Sequence, residues 1–175
     1  YHWKIYVVGS VEYQYPNHLF QAGYFLDKKY YDENTIDFKH LLLSEKNQSL
    51  LKDIQNSNSV GVHIRRGDYM TKQNLVIFGN ICTQKYYHDA IRIITEKVND
   101  AVFYVFSDDI SWVQTHLDIP NAVYVNWNTG ESSIYDMYLM SSCKYNIIAN
   151  STFSYWAARL NKKTNMVIYP SKWYN

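Results

Sequence analysis

One stretch of the chain joins an apolar strand to a dense cluster of charge, and it limits the folds that the sequence can adopt. Residues 60–69 read VGVHIRRGDY, in which Val60, Val62 and Ile64 alternate with a glycine and a histidine. Such alternation of β-branched residues is typical of a central strand. In an open α/β sheet, ligands bind at the carboxyl ends of the strands, and the charged residues follow at that point. The stretch therefore predicts an α/β fold with a polar site at one rim of the sheet.

Two adjacent arginines at this rim favour an anionic ligand. Arg65 and Arg66 follow the strand directly, and Gly67 supplies turn freedom before Asp68. A planar guanidinium binds phosphate oxygens two at a time, so the pair predicts a clamp for phosphate or pyrophosphate. Two alternatives remain open. One arginine pairs with Asp68 while the other faces solvent, or the Arg-Gly-Asp triplet serves as an adhesion ligand on a projecting loop.

The chain beyond residue 59 alternates between strand and helix patterns. A polar linker at residues 56–59 separates an aromatic-rich segment, residues 1–55, from a domain predicted over residues 56–175. In this domain, strands are predicted at residues 60–65, 102–106, 122–125, 146–149 and 166–169, and helices at 83–98, 110–117, 132–142 and 153–160. Five strands with helices between them predict a parallel, Rossmann-like sheet with right-handed crossovers.

The aromatic-rich segment carries weaker signals. Residues 3–8 are typical of a short strand, Pro16 and Asn17 predict a turn, and the apolar spacing over residues 41–54 predicts a helix. We interpret residues 1–55 as a connecting segment.

Composition narrows the possible partners. The formal net charge is +1 over 175 residues, which argues against nucleic acid, because that binding requires a strong basic excess. Cys82 and Cys143 lack Cys-x-x-Cys spacing, and the six histidines show no paired metal-ligand spacing. No Gly-x-Gly-x-x-Gly or Walker-type loop follows a strand, which argues against an ordinary NAD site. No run approaches the ~20 apolar residues that span a bilayer.

Three further polar groups are predicted to lie near the rim. They are Ser107, Asp108 and Asp109 after the strand at 102–106, Asn150, Ser151 and Thr152 after the strand at 146–149, and Asp136 among apolar helix residues. Hydroxyls and backbone N–H groups at a helix start bind phosphate, and a half-buried carboxylate accepts from a base edge or a ribose hydroxyl. Helix capping is the alternative for Asp109 and for one residue of 150–152, and solvent exposure is the alternative for Asp136.

Together these groups predict a nucleoside-diphosphate site. Arginines would hold the pyrophosphate, hydroxyls and amides would face it, and the acids would bind the base and the ribose. If chemistry occurs there, the arginines take the place of a metal in stabilising leaving-group charge.

The same residues resemble the motifs of the α-1,2-fucosyltransferases, glycosyltransferase family 11. The likeness comprises His63-x-Arg65-Arg66-x-Asp68-Tyr69, residues 106–109, residues 136–156 and the aromatic stretch at residues 21–31. It implies the nucleotide-sugar-binding half of a GT-B-like glycosyltransferase, with inverting, metal-independent transfer of fucose from GDP-fucose to a galactose 2-hydroxyl. The family's amino-terminal Gly-Gly-Leu-Gly-Asn-Gln segment is missing, and Phe78-Gly79 and Tyr155-Trp156 replace the usual His-Gly and Trp-Trp pairs.

The resemblance also implies roles for the candidate residues. Arg65 would contact the β-phosphate, and Arg66 would support it or pair with Asp68, which makes these three the candidate catalytic residues. The donor site would comprise His63 and Asp136 near guanine and ribose, together with Ser107, Asp108, Asp109, Asn150, Ser151 and Thr152. No residue stands out as the general base, because the neighbours of Asp68 are cationic.

The expected partners are GDP-fucose and a galactose-terminated glycan, with no metal and no further cofactor. The alternatives are a non-catalytic GDP-sugar-binding module, a fucosyltransferase of different linkage, and a lectin-like domain that uses the aromatic first 35 residues. The lack of a membrane anchor and the composition rich in Lys, Asn and Tyr predict a bacterial, cytoplasmic enzyme of surface-polysaccharide synthesis. We expect it to lie at most peripherally on the inner membrane face.

Overall fold

The structure is a computed structural model that describes residues 11–15, 18–22 and 37–175. The chain divides into two compact units, one ending at Asp37 and the other comprising Phe38–Asn175. In the first unit, β1 (Val11–Tyr15) and β2 (His18–Ala22) form an antiparallel hairpin. The strand predicted at residues 3–8 and most of the aromatic stretch at 21–31 lie outside the described residues.

The second unit is built on a five-stranded parallel sheet with the strand order β5-β4-β3-β6-β7. Its strands are β3 (Asn58–Ile64), β4 (Ala101–Ser107), β5 (Ala122–Val125), β6 (Tyr145–Ile147) and β7 (Met166–Ile168). The central strand β3 pairs with β4 on one side and β6 on the other, so that Val62 lies opposite Val105 and Ile147. The predicted Rossmann-like parallel sheet is confirmed.

Six helices of this unit connect or cover the strands. They are α1 (Glu45–Asn56), α2 (Lys72–Phe78), α3 (Gln84–Lys97), α4 (Ile110–His116), α5 (Ser133–Ser141) and α6 (Thr152–Leu160). Capping residues in the sequence define where α1, α2 and α3 begin. The hydroxyls of Ser44, Thr71 and Thr83 each accept the backbone N–H of the residue three positions later. The sequence pattern did not predict α2. Among the described residues, no helix is long and apolar enough to cross a bilayer.

The pleat of β4 divides the core between the two faces of the sheet. Phe103 and Val105 join a cluster that contains apolar residues of α3 and α4. Tyr104 and Phe106 join a second cluster with residues of α1, α5 and α6. Because alternate residues of a strand point to opposite faces, burial on both sides requires this uninterrupted apolar run.

The second unit begins before the linker that marks the predicted domain boundary. Leu50 and Ile54 on α1 are buried in the same cluster as residues of β4 and α5. Ser57 lies within the predicted linker, and its Oγ is 3.1 Å from the hydroxyl oxygen of Tyr104. Helix α1 therefore shares the core of the sheet, whereas the sequence interpretation placed it in the segment 1–55. Within the polar run at 56–59, only Ser57 connects α1 to β3, because Asn56 ends the helix and Asn58 begins the strand.

Candidate functional site

The strand ends at one rim of the sheet border a cavity of about 560 Å³. This volume is within the range of small-molecule sites. The lining residues are His63 and Arg65 at the end of β3, Phe106, Ser107 and Asp108 at the end of β4, Ile110, Val125, Asn126, Asn128, Thr129, Gly130, Ser133, Asp136 and Phe153. Five predicted site residues, His63, Arg65, Ser107, Asp108 and Asp136, therefore come together around one cavity.

Arg65 lines this cavity while two carboxylates hold its guanidinium. Its Nη2 donates to Asp68 Oδ1 over 2.7 Å, and its Nη1 forms an ion pair with Asp108 Oδ2 over 2.9 Å. The ion pair with Asp68, which the sequence left open as an alternative, is present. The side chain of Asp68 is 55% exposed, so this partner of the guanidinium lies towards solvent.

Arg66 turns away from the cavity towards α4. Its Nε donates to Asp109 Oδ2 over 3.2 Å, and its Cζ lies 3.6 Å from the centroid of the Trp112 ring. Asp109 Oδ1 in turn accepts the Trp112 backbone N–H, so Asp109 caps α4. Neither Arg66 nor Asp109 lines the cavity, and the capping interpretation accounts for the position of Asp109. A contact of either residue with a ligand stays a prediction.

Asp108 connects the ends of β3 and β4. Its Oδ1 accepts the backbone N–H of Arg66 over 2.9 Å, while its Oδ2 pairs with Arg65. A Cβ added to Gly67 would lie 2.5 Å from Oδ2, closer than real Cβ atoms approach other atoms. The sequence interpretation assigned Gly67 to turn freedom, but its φ is not positive. Glycine is needed here because the Asp108 carboxylate occupies the space of a side chain.

His63 is buried at the wall of the cavity, and its ring lies 5.0 Å from that of Phe153 between centroids. Burial, and then the positive charge of Arg65, lower the pKa of the imidazole to about 3. The ring is therefore neutral at neutral pH. Its Nδ1 is buried and has no hydrogen-bond partner among the described residues. A buried polar atom without a partner is costly, so this nitrogen has a hydrogen-bonding capacity that no described protein group uses.

Asp136 on α5 is buried rather than exposed to solvent. Its Oδ1 accepts a hydrogen bond of 2.6 Å from Asn128 Nδ2. Burial raises the pKa of the Asp136 carboxyl to about 7, and the Asn128 hydrogen bond acts in the opposite direction. A buried carboxyl with a raised pKa at the wall of a polar cavity is a functional-site candidate, because functional sites are where burial shifts the pKa of a titratable group.

Three of the predicted site residues follow β6 and do not line the cavity, namely Asn150, Ser151 and Thr152. Asn150 Nδ2 donates to the carbonyl oxygens of Phe78 and Trp173, each over 3.0 Å, and thereby ties α2 to the carboxyl-terminal segment. Ser151 and Thr152 begin α6, whose first turn places Phe153 against the cavity. Asn150 thus acts as a structural tie in this structure. Contacts of Asn150, Ser151 and Thr152 with a ligand stay predictions.

Sequence reasoning missed the loop between β5 and α5. Asn126, Asn128 and Thr129 line the cavity, and Asn128 contacts Asp136 directly. These residues follow a correctly predicted strand, so the rule that ligands bind at strand carboxyl ends could have found them. Besides Asp136, Asn128 also forms hydrogen bonds with Asn47 of α1. Nothing in the local sequence marks Asn47, because it lies 81 residues away in the chain.

Comparison with known proteins gives the following matches. Residues 8–175 match the model of glycosyl transferase family 11. The chain is 35% identical to an α-1,2-colitosyltransferase of Escherichia coli over 95% of its length, and 44% identical to the O-antigen biosynthesis glycosyltransferase WbnK of the same species over 69%. It is 29% identical over 69% to galactoside α-(1,2)-fucosyltransferase 2 of Pongo pygmaeus. The chain spans 57%, 40% and 37% of these relatives' lengths, respectively.

Proposed function

Because the chain belongs to glycosyl transferase family 11, we propose that its cavity binds the nucleoside diphosphate of GDP-fucose. The protein would transfer fucose from this donor to the 2-hydroxyl of a galactose in a glycan acceptor, with inversion and without a metal. The observation that carries the proposal is that Arg65 and Asp136 line one cavity. A guanidinium suits the diphosphate, and a buried carboxylate suits a base edge with N–H donors.

At the diphosphate end, Arg65 is the group that would bind phosphate. A guanidinium carries five N–H donors. Nη2 of Arg65 donates to Asp68, and Nη1 forms an ion pair with Asp108. Asp68 is the more exposed of these two carboxylates, so phosphate oxygens would replace it while Asp108 continues to hold the guanidinium. The N–H groups at the start of α6, with Ser151 and Thr152, would add donors if the diphosphate extends that far.

At the base end, Asp136 would select guanine. The Watson–Crick edge of guanine presents the N1–H and N2–H donors, which a carboxylate accepts, whereas adenine presents an acceptor at N1. Asn128 already donates to Oδ1 of Asp136 and so supports the ionised form. The unpartnered Nδ1 of His63 would take a hydroxyl of the ribose.

The transfer step requires charge stabilisation and a proton acceptor. The acceptor hydroxyl oxygen forms a bond to C1 of fucose as the bond from C1 to the β-phosphate oxygen breaks, and the electron pair leaves with GDP. Arg65 would stabilise that charge, which is the role a positioned cation performs in group transfer. Asp68, released from Arg65 by the phosphate, is the candidate to accept the hydroxyl proton.

A second candidate sugar follows from the relatives. An α-1,2-colitosyltransferase is 35% identical over 95% of the chain, so the nucleotide sugar of colitose is the alternative donor. Both sugars would present the same diphosphate to Arg65, and the choice between them would depend on contacts with the sugar ring.

The experiment that tests the proposal is donor binding followed by transfer. Calorimetric titration in EDTA should detect binding of GDP and GDP-fucose by this chain. A protein that contains this chain at the full length of its relatives should then transfer fucose, or colitose, to a galactoside. Binding without transfer at full length would favour the non-catalytic module, and no binding would overturn the proposal. The cytoplasmic, membrane-peripheral location expected from the sequence stays a prediction.

A further inference from the structure

A continuous chain of hydrogen bonds runs from α1 through Asn128 to Asp136. Asn47 Nδ2 donates to Asn128 Oδ1 over 3.0 Å, and Asn128 Nδ2 donates back to Asn47 Oδ1 over 3.1 Å. Asn128 Nδ2 also donates to Asp136 Oδ1 over 2.6 Å. Asn47 is 2% exposed and is not among the residues that line the cavity. Its amide can therefore influence a ligand only through Asn128.

The indole of Trp127 determines which way both amides point. Its Nε1 lies 2.8 Å from Asn47 Oδ1, and an indole N–H donates but never accepts. The oxygen of Asn47 must therefore face Trp127, and its nitrogen must face the oxygen of Asn128. The nitrogen of Asn128 is then left to face Asp136. The orientation of one donor is transmitted through two amides to the carboxyl group.

The core of the domain anchors the first turn of α1, which carries this arrangement. Ser44 Oγ accepts the backbone N–H of Asn47, and Leu50 is buried one turn further along the helix. Lys46 Nζ lies 3.8 Å from the centroid of the Trp127 ring, which holds the indole from the exposed side. The loop after β5 is thus clamped against a helix that packs on the sheet.

We propose that Asn47 is a positioning residue that determines nucleobase preference, because it keeps the Asn128 amide turned so that Asp136 acts as an acceptor. The inference rests on the proposed function, in which Asp136 binds guanine. Without Asn47, the Asn128 amide can rotate and present its oxygen to Asp136. A carboxyl that faces an amide oxygen is favoured in its protonated form, which donates where guanine requires an acceptor.

The first test follows the proton on Asp136 itself. Carbon-13 NMR of the carboxyl group gives its titration midpoint, which we expect near 7 in the wild-type chain because burial raises the pKa of Asp136 to about 7. Loss of one hydrogen bond to the ionised form should raise this midpoint by about one pH unit in Asn47→Leu. Arg65, Asp108 and His63 share the cavity with Asp136, and Lys46 lies on the α1 side. Asn47→Leu changes none of these four side chains, so a shift of the Asp136 midpoint would follow from the loss of the Asn47 amide.

The matched control is Gln48→Leu, the same type of substitution at an exposed neighbour on α1 whose side-chain amide donates to the Leu43 carbonyl. Its midpoint should equal that of the wild type. If Asn47→Leu fails to fold, Trp127→Phe provides the second variant, since it leaves both asparagines in place, removes the orienting N–H and keeps an aromatic ring beside Lys46. Its midpoint should shift in the same direction.

The second test measures base preference. In Asn47→Leu, the ratio of the ADP to the GDP dissociation constant should fall by roughly tenfold, as expected for one lost hydrogen bond. A folded Asn47→Leu with the wild-type midpoint and the wild-type ratio would overturn the inference, and so would an equal shift in Gln48→Leu. A wild-type chain that binds no guanine nucleotide overturns the proposed function, and the NMR titration still decides whether Asn47 controls the state of Asp136.

Discussion

Arg65 Nη1 and Asp108 Oδ2 lie 2.9 Å apart and join the ends of two neighbouring strands, β3 and β4. The other oxygen of Asp108 accepts the Arg66 backbone N–H, so the turn after β3 is held by the residue that follows β4. The guanidinium therefore reaches the cavity already oriented. Such preorganisation reduces the cost of ordering the side chain when an anion binds.

Removal of this guanidinium should weaken nucleoside-diphosphate binding. Arg65→Ala loses charge-assisted hydrogen bonds of about 1.5–3 kcal/mol, so the GDP dissociation constant should rise by roughly 10- to 100-fold. Arg65→Lys should restore only part of the affinity, because an ammonium cannot reproduce the planar fork. Arg92→Ala is the control, since Arg92 pairs with Glu96 on the exposed face of α3. Equal affinity of Arg65→Ala and Arg92→Ala would contradict the assignment.

Substitution of Gly67 should act on Arg65 indirectly. The Cβ of Gly67→Ala would meet Asp108 Oδ2 at 2.5 Å and displace the carboxylate from the guanidinium. We expect GDP affinity to fall by roughly tenfold, which corresponds to about 1.4 kcal/mol. In an Asp108→Ala background the Cβ meets no carboxylate, so Gly67→Ala should then have little further effect. Simple additivity of the two substitutions, measured by calorimetry, would exclude this mechanism.

The buried carboxyl of Asp136 should make stability fall as pH rises. Burial raises its pKa from 3.8 to about 7, so between these values the folded state holds a proton that the unfolded state has released. The free energy of unfolding should therefore decrease across that window, by up to about 1.4 kcal/mol per pH unit from this group. Asp136→Asn cannot titrate. Its stability relative to the wild type, measured by urea unfolding, should rise from about pH 4 to 7 and then stay level.

His63 should have the opposite effect on stability, which should fall as the pH decreases below 6.5. Its pKa is lowered from 6.5 to about 3, so below 6.5 the unfolded state gains a proton that the folded state does not. Stability from the neutral ring is complete above pH 6.5 and is lost as pH falls towards 3. His63→Gln removes this contribution, and its stability relative to the wild type should increase below pH 6.5. A constant difference across that range would show that the ring is not held neutral by the fold.

Much of the fold could be predicted from the sequence because the strands are buried on both faces. The resulting apolar runs, such as that of β4, differ clearly from the helix patterns around them. Helix α2 was missed, since its seven residues show no clear period and depend on the caps at Thr71 and Gly79. The domain boundary was placed too late because the packing of Leu50 and Ile54 cannot be read from local composition.

The candidate site was predictable where residues follow strand ends. His63, Arg65 and Asp108 lie together because parallel strands end at one rim. The sequence did not show which of the two arginines faces the cavity. Arg66 packs on the Trp112 ring of α4, away from the cavity, and this contact depends on the tertiary structure. The contribution of Asn47 depended on tertiary packing between α1 and the loop after β5.

Calorimetric titration of this chain with GDP and ADP in EDTA tests the central claim most directly, namely that the cavity recognises a guanine nucleoside diphosphate through protein groups alone. We expect GDP to bind without added metal and roughly tenfold more tightly than ADP, because guanine offers Asp136 two adjacent donors, N1–H and N2–H, whereas adenine offers one N6–H donor beside an acceptor at N1. Heat of binding that appears only with Mg²⁺ or Mn²⁺, or equal affinity for the two nucleotides, would contradict it.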